Sequence, residues 1–153
     1  MEMNGKHNSA QARDREHQSM GDTLCVQPTM ESVERVAEFI EGRLEALEVP
    51  AKTAVRLKIA LDEIFSNIVR YSGASQAQVG CLVEQGVLKL TFQDNGMPYD
   101  PLQAKEPDIT ASAEEREIGG LGIFMVRRMM DSVDYAYREG QNVLTLGLAL
   151  HQG

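Results

Sequence analysis

The sequence predicts an α+β fold, a two-layer sandwich in which three helices cover one face of a mixed, mostly antiparallel sheet. Two long stretches between residues 33 and 71 carry apolar residues at helical spacing. Two pairs of short apolar runs are each separated by a turn that contains glycine, which is the pattern of a β-hairpin. At 153 residues, of which 42% are apolar, the chain is expected to form one domain with a single core.

The predicted elements alternate in the order β-α-α-β-β-α-β-β, which separates strands and helices into two layers. Thr29 is placed to cap the first helix, and Ser72-Gly73 closes the second. Gln85-Gly86 and Glu139-Gly140-Gln141 are turns between paired strands, and the polar segment 94–118 is long enough to be a lid or a binding loop. In chain order, the elements are expected as a strand at 23–27, a helix that ends before Pro50, a helix at 52–71, strands at 76–83 and 87–93, a helix at 119–131, and strands at 133–138 and 142–150.

Composition disfavours several classes of function. Fifteen Lys and Arg residues against 23 Asp and Glu residues give a net charge of −8, which argues against direct binding to nucleic acid or to an anionic membrane. The histidines, His7, His17 and His151, all lie in the terminal segments, so a histidine-based catalytic site in the folded body is not expected. Residues 1–20 are polar and without periodicity, which predicts a disordered tail before a folded domain over residues 21–153.

The same composition predicts a cytoplasmic location. No apolar run reaches the ~18 residues of a membrane span, and the N-terminal segment lacks the apolar centre of a signal peptide. Cys25 and Cys81 both lie in strand-like apolar runs, where each is expected to pack as a small hydrophobic residue.

The second predicted helix carries a polar face beside its apolar one. Glu63 and Asn67 lie four residues apart, and therefore one turn apart, and Arg70 follows them. One helix therefore carries an apolar face and a second face that bears carboxylate, carboxamide and guanidinium groups. Taken alone, the same face is better explained as a solvated surface. The residues of the apolar face are Leu57, Leu61, Ile64 and Ile68.

The strand that ends at residue 93 is followed by Asp94-Asn95-Gly96. A carboxylate held at a strand end can accept a hydrogen bond from an exocyclic amine, and Gly96 would let a flat base approach the backbone. Met97, Pro98 and Tyr99 then supply apolar surface, as a purine pocket requires. An ordinary bend is the alternative for this motif alone.

The third predicted helix opens with Gly119-Gly120-Leu121-Gly122. Free N–H groups and the helix dipole at such a start favour phosphate. No Lys-Ser/Thr follows and no strand directly precedes, so neither a Walker loop nor a dinucleotide-binding fingerprint is present. A flexible hinge is the alternative for this segment alone.

Together, in this order, the three motifs resemble the boxes of the ATPase superfamily of gyrase, chaperone, histidine-kinase and MutL ATPases, with its Bergerat-type ATP-binding fold. Glu63-x-x-x-Asn67-x-x-Arg70 resembles the N box, Asp94-x-Gly96 the first glycine box, and Gly119-Gly120-Leu121-Gly122-Ile123 the second. The chain is most similar to the anti-sigma-factor serine/threonine kinases of bacterial partner-switching systems, because it is only the ATP-binding module and because residues 94–101 resemble their Asp-x-Gly-x-x-Phe-Asp-Pro pattern.

This resemblance implies a role for each matching residue. Asn67 would hold Mg²⁺, Glu63 would be the general base that accepts the proton of a serine hydroxyl, and Arg70 would contact phosphate. Asp94 would bind the adenine amine, and residues 102–118 would close over the nucleotide. The ATP-binding residues implied are Asn67, Arg70, Asp94, Gly96, Pro98, Tyr99, Gly119, Gly120, Leu121, Gly122 and Ile123.

The resemblance also implies ATP and Mg²⁺ as cofactors and two protein partners. The acceptor would be a serine of an anti-sigma-factor antagonist protein, and the second partner would be a sigma factor bound by a homodimer. Two alternatives stay open. One is an ATP-binding regulatory module that transfers no phosphate, and the other is a sensor-kinase catalytic domain that transfers phosphate to histidine.

Overall fold

The computed structural model describes residues 23–101 and 120–150, and in these ranges the chain forms five strands and three α-helices. The predicted tail 1–20, the predicted lid 102–118 and Gly119 lie outside the described residues. The elements in chain order are β1 Thr23–Val26, α1 Met30–Ala46, α2 Ala51–Asn67, β2 Ala77–Glu84, β3 Val87–Asp94, α3 Gly120–Met129, β4 Ser132–Arg138 and β5 Gln141–Ala149.

The sheet has the strand order β1-β2-β3-β5-β4, and every pair of neighbours is antiparallel. The described sheet is thus antiparallel throughout, in accord with the predicted α+β fold and its mostly antiparallel sheet. Strands β3 and β4, between which α3 lies in the chain, do run in the same direction, since each is antiparallel to β5. They are not hydrogen-bonded to each other, because β5 returns from its hairpin and inserts between them.

The two β-hairpins close where the sequence predicts, although the second turn is only Glu139-Gly140, because Gln141 already begins β5. Gln85 and Gly86 have φ values of 52° and 77°, and Glu139 and Gly140 have values of 54° and 78°. Two successive residues with positive φ are the requirement of a type I′ turn, whose twist matches that of the flanking strands. Glycine at the second position therefore fixes the register of both hairpins.

The core lies between one face of the sheet and the helices. In β3 and β5 every second side chain points inward, as expected for strands with one covered face. Helix α1 begins at a capping box, in which Ser32 N donates to Thr29 Oγ1 and Thr29 N donates to Ser32 Oγ. The buried apolar residues that join the layers include Val36, Ile40, Leu57, Leu61, Phe65, Val79, Leu88, Leu90, Phe92, Val126 and Leu146.

The two cysteines differ in their surroundings. Cys81 is buried in the core, as predicted, but Cys25 is exposed, so the prediction for Cys25 is wrong. Cys25 alternates with inward-facing Val26 on the edge strand β1, which places its side chain on the outer face of the sheet.

Helix α2 ends differently from the prediction. It is α-helical to Asn67 and continues as a single π-helical turn over Ile68–Ser72, which Gly73 terminates with a φ of 68°. The wider turn carries residues 68–72 over the edge of the core, toward the end of β3. π-Turns of this kind are frequently found at functional sites.

Candidate functional site

A cavity of about 340 Å³ opens between the end of α2 and the adjoining ends of β3 and β5. Its wall is mostly apolar, with a few polar side chains. Such a composition suits a flat, largely apolar ligand that carries a small number of hydrogen-bonding groups. The residues that line it are Ile64, Asn67, Ile68, Tyr71, Ser72, Phe92, Asp94, Met97, Pro98, Tyr99, Pro101, Ile123, Tyr135, Asn142 and Leu144.

Asp94 is a buried carboxylate in the wall of this cavity. It is the last residue of β3, and strand alternation places it on the same inner face as Phe92, where it is only 6% exposed. Its Oδ1 accepts hydrogen bonds from Gly96 N at 2.8 Å and from Asn142 Nδ2 at 3.1 Å. Its Oδ2 accepts none from residues 23–101 or 120–150, so that oxygen is the acceptor available to a ligand.

Gly96 is needed for a reason that the sequence analysis did not anticipate. A Cβ at this position would overlap the backbone carbonyl oxygen of Ser72, the last residue of the π-turn. The next residue, Met97, donates its backbone N–H to the same oxygen at 3.2 Å. Gly96 therefore lets the segment after β3 lie directly on the end of the π-turn. It is not among the residues that line the cavity, and its approach to a base stays a prediction.

Glu63 and Asn67 lie one turn apart on α2, and Asn67 Nδ2 is 3.4 Å from Glu63 Oε2, a long hydrogen bond. Both side chains are partly buried, because the start of α3 packs on this face of α2. Ala60, one turn earlier, is fully buried. The alternative explanation of this face as a solvated surface is therefore wrong for these residues. Asn67 lines the cavity, whereas Glu63 does not.

The start of α3 lies directly against the Glu63 carboxylate. A Cβ on Gly122 would overlap Glu63 Oε2, so a side chain at this position would require the Glu63 carboxylate to shift. Ile123, the next residue, is buried and lines the cavity. Gly120 and Leu121 form the first turn of the helix. The second glycine box is thereby brought beside the N box, although Gly119 lies outside the described residues.

The residues present fit a magnesium ion that arrives with a ligand rather than a preformed metal site. Asn67 uses its nitrogen toward Glu63, and its Oδ1 accepts no hydrogen bond from a described residue. An amide oxygen is a ligand that Mg²⁺ accepts, while phosphate and water complete its shell. No group of three or more His, Cys, Asp or Glu side chains with metal-binding geometry is found among the residues that the structure describes.

The remaining predicted site residues lie around the cavity at different depths. Pro98 and Tyr99 are exposed and line its outer wall. Arg70 is exposed and does not line the cavity, but its guanidinium lies over the ring of Tyr71, 5.6 Å from the centroid, and Tyr71 does line it. Arg70 thus lies beside a residue of the cavity wall, and its contact with phosphate stays a prediction.

Sequence reasoning missed Asn142 and Tyr135. Asn142 is 7% exposed, lies opposite Asp94 in the β3–β5 pairing, and accepts a hydrogen bond from the Tyr135 hydroxyl. The signal that could have found it is the alternation of β5, which places one amide on the same face as Leu144, Leu146 and Leu148. A single polar residue on an apolar strand face requires a buried partner.

Comparison with known proteins agrees with this geometry. The model of the histidine kinase-like ATPase domain matches residues 26–148. The serine/threonine-protein kinase BtrW of Bordetella bronchiseptica is 32% identical over 111 residues, which cover 67% of this chain and 78% of BtrW. The serine-protein kinase RsbW of Listeria monocytogenes is 32% identical over 96 residues, 58% of this chain and 61% of RsbW, so the match leaves more than a third of RsbW uncovered.

Solved structures show the same fold at low sequence identity. A chain in the SiaB–SiaC complex of Pseudomonas aeruginosa superposes with a TM-score of 0.63 at 15% identity and covers 93% of this chain and 99% of that one. The structure of the RsbU and RsbW domains of Rv1364c from Mycobacterium tuberculosis gives a TM-score of 0.57 at 14% identity, covering 86% of this chain and 33% of that one.

The fold, the cavity and the matching family model define the class: the chain belongs to the histidine kinase-like ATPase domain family. Within that family it groups with the serine/threonine-protein kinases BtrW and RsbW, which confirms the resemblance to anti-sigma-factor kinases. Family membership makes the cavity part of an ATP-binding domain. No helix in the described part of the chain combines the length and apolarity needed to cross a membrane.

Proposed function

We propose that the chain is an ATP-dependent serine/threonine protein kinase that phosphorylates a serine of an antagonist protein and acts as an anti-sigma factor. One observation carries the proposal. One cavity is lined by both the carboxylate of Asp94 and the amide of Asn67, with Glu63 one turn from Asn67. A nucleotide bound with its base at Asp94 would direct its phosphates toward the N box and the start of α3.

The proposed chemistry follows from the residues at the phosphate end. Asn67 Oδ1 would hold Mg²⁺, which neutralises charge on the transferred phosphoryl group. The N–H groups at the start of α3, with Gly119 before them, would receive the phosphate oxygens, and Arg70 would contact them. Glu63 would accept the proton of the incoming serine hydroxyl. A loose transition state demands little basicity of this carboxylate, so positioning dominates.

The proposed partners rest on the relatives. RsbW and BtrW are named as kinases of serine, or of serine and threonine, which supports a protein hydroxyl as acceptor. The net charge of −8 favours regulation through protein partners rather than through direct contact with nucleic acid. A sigma factor, an antagonist protein and a homodimer are accordingly proposed, in the cytoplasm.

A second candidate is an ATP-binding regulatory module that transfers no phosphate. The position of Glu63 favours it, since the carboxylate packs against Gly122 and does not line the cavity. For transfer to occur, Glu63 or the start of α3 must shift when nucleotide and acceptor bind.

Incubation with ATP labelled at the γ-phosphate and a candidate antagonist protein separates these functions. A kinase transfers label to the antagonist, and the label survives acid if it is on serine. Acid-labile label would indicate transfer to histidine, as in a sensor kinase. Tight ATP binding without any transfer would support the regulatory module instead.

A further inference from the structure

Asn142 occupies the centre of a hydrogen-bond network that reaches three segments of the chain. Its Nδ2 donates to Asp94 Oδ1 at 3.1 Å and to the Met97 carbonyl oxygen at 2.9 Å. Its Oδ1 accepts from Tyr99 N at 3.0 Å and from the Tyr135 hydroxyl. Both N–H groups and both lone pairs of one buried amide are therefore used.

The orientation of this amide follows from its backbone partners. The Tyr99 N–H can only donate and the Met97 carbonyl can only accept, so the Asn142 oxygen must face the former and its nitrogen the latter. A flipped amide would also point its oxygen at the Asp94 carboxylate. The Asn142 Nδ2 group therefore donates to Asp94 whether or not a ligand is bound.

Tyr135 holds the amide from its other side. Burial raises the pKa of the Tyr135 hydroxyl above its ordinary value of 10.0, so this group is protonated and donates at neutral pH. The bond links β4 to β5 next to the cavity, which Tyr135 also lines.

We propose that Asn142, braced by Tyr135, is a positioning residue that makes the site select a 6-amino purine over a 6-oxo purine. The inference rests on the proposed nucleotide-binding function. Asn142 and Gly96 together engage Asp94 Oδ1, so Oδ2 is left as a pure acceptor. An amine donates to that oxygen. A purine carbonyl oxygen would instead face the Asp94 carboxylate, which cannot donate a hydrogen bond to it. Because both N–H groups of Asn142 are already used, the buried carbonyl oxygen would be left without a donor.

The same amide also fixes the wall of the cavity. By binding Met97 and Tyr99, it holds both ends of the segment whose middle residue is Pro98. Loss of Asn142 would therefore free the carboxylate to rotate and loosen the wall that packs on the base, and both changes lower discrimination.

Four variants test the inference, with the dissociation constants of ATP and GTP measured by calorimetry in Mg²⁺ buffer. Asn142→Ala should reduce the preference for ATP over GTP by about tenfold or more. Asn142→Asp keeps the acceptor for Tyr99 and Tyr135 but removes the donor to Asp94. It should therefore reduce the preference for ATP over GTP by as much as Asn142→Ala does. Tyr135→Phe should produce a smaller loss in the same direction.

Gln141→Ala is the matched control. Gln141 is adjacent on β5, and its side chain lies on the opposite face, where Gln93 Nε2 donates to its Oε1 at 2.9 Å. It should keep the wild-type preference. If Asn142→Ala or, should that variant fail to fold, Asn142→Asp keeps the wild-type ratio of the two constants, the positioning role is wrong while nucleotide binding stands. A wild-type protein that binds neither nucleotide would overturn the proposed function itself.

Discussion

At the scale of single residues, Asp94 and Glu63 share a charge but occupy different environments. Asp94 is buried at a strand end with two hydrogen-bond donors on one oxygen, whereas Glu63 is partly buried between two helices. A buried carboxylate is tolerated only when it is hydrogen-bonded. Asp94 therefore suits recognition of a ligand by a fixed acceptor. Glu63, whose one hydrogen bond within the described residues is long, is held less firmly.

Asp94→Asn should weaken ATP binding by about tenfold or more, because an amide can present a donor to the adenine amine where a carboxylate cannot. The preference for ATP over GTP should fall at the same time. Titration of both nucleotides against wild type and variant measures this. Equal binding of ATP and GTP by the wild-type protein would show that Asp94 has no role in base selection.

Glu63→Gln should lower phosphoryl transfer to the antagonist serine by 10² to 10⁴-fold, the usual range for loss of a general base, and the loose transition state favours the lower end. ATP binding should persist, since the glutamine oxygen can still accept from Asn67. Single-turnover transfer is compared with that of Asp62→Asn, which removes a charge from the adjacent exposed position. Equal rates for all three proteins would remove Glu63 from the mechanism.

At the scale of elements, the sequence predicts strands and helices well where one local pattern decides them. Both hairpin turns, the Thr29 cap and the alternation of β3 follow from the residues themselves. The insertion of β5 between β3 and β4 depends on long-range pairing, which no local pattern encodes. The π-turn at residues 68–72 is one turn long, too short to give a period of its own.

In the candidate site too, some residues could be predicted from local motifs and others depend on contacts between distant parts of the chain. The site residues could be named because the three motifs together resemble those of a known family, and five of the named residues line the cavity: Asn67, Asp94, Pro98, Tyr99 and Ile123. Asn142 could not be named, because its role depends on the register that sets it opposite Asp94. The close approaches at Gly96 and Gly122 also involve residues distant in sequence, Ser72 and Glu63.

The contact between α2 and α3 gives a prediction at this scale. Gly122→Ala places a methyl group on the Glu63 carboxylate, so the carboxylate or the helix start must move. Phosphoryl transfer should fall at least tenfold. Gly42→Ala in α1 is the control, since a Cβ there meets nothing within 4 Å, and it should stabilise the fold by roughly 0.5–1 kcal/mol. Urea denaturation and transfer assays on both variants measure these effects. Unchanged transfer by Gly122→Ala would mean that the observed contact is not kept during catalysis.

At the scale of the whole molecule, the cavity joins parts of the fold that are distant along the chain. Its wall comes from α2, from β3 and the segment after it, from α3, and from β4 and β5. A ligand that fills it contacts both layers of the sandwich at once. Because such a ligand binds the native state and not the unfolded chain, it stabilises the fold as a unit.

ATP with Mg²⁺ should therefore raise the melting temperature of the protein. At about 100 times the dissociation constant the gain is roughly 2.7 kcal/mol, which corresponds to about 5–10 °C for a chain of this size.

Asn67→Ala should reduce the part of this shift that depends on magnesium, because the amide oxygen would be the one protein ligand of the ion. In the Asn67→Ala variant, the ATP-induced shift of the melting temperature should be nearly the same with Mg²⁺ as with EDTA, whereas in wild type the two shifts should differ. If EDTA lowers the ATP-induced rise in melting temperature by the same amount in both proteins, Asn67 does not hold the metal. A wild-type melting temperature that ATP does not change would contradict nucleotide binding altogether.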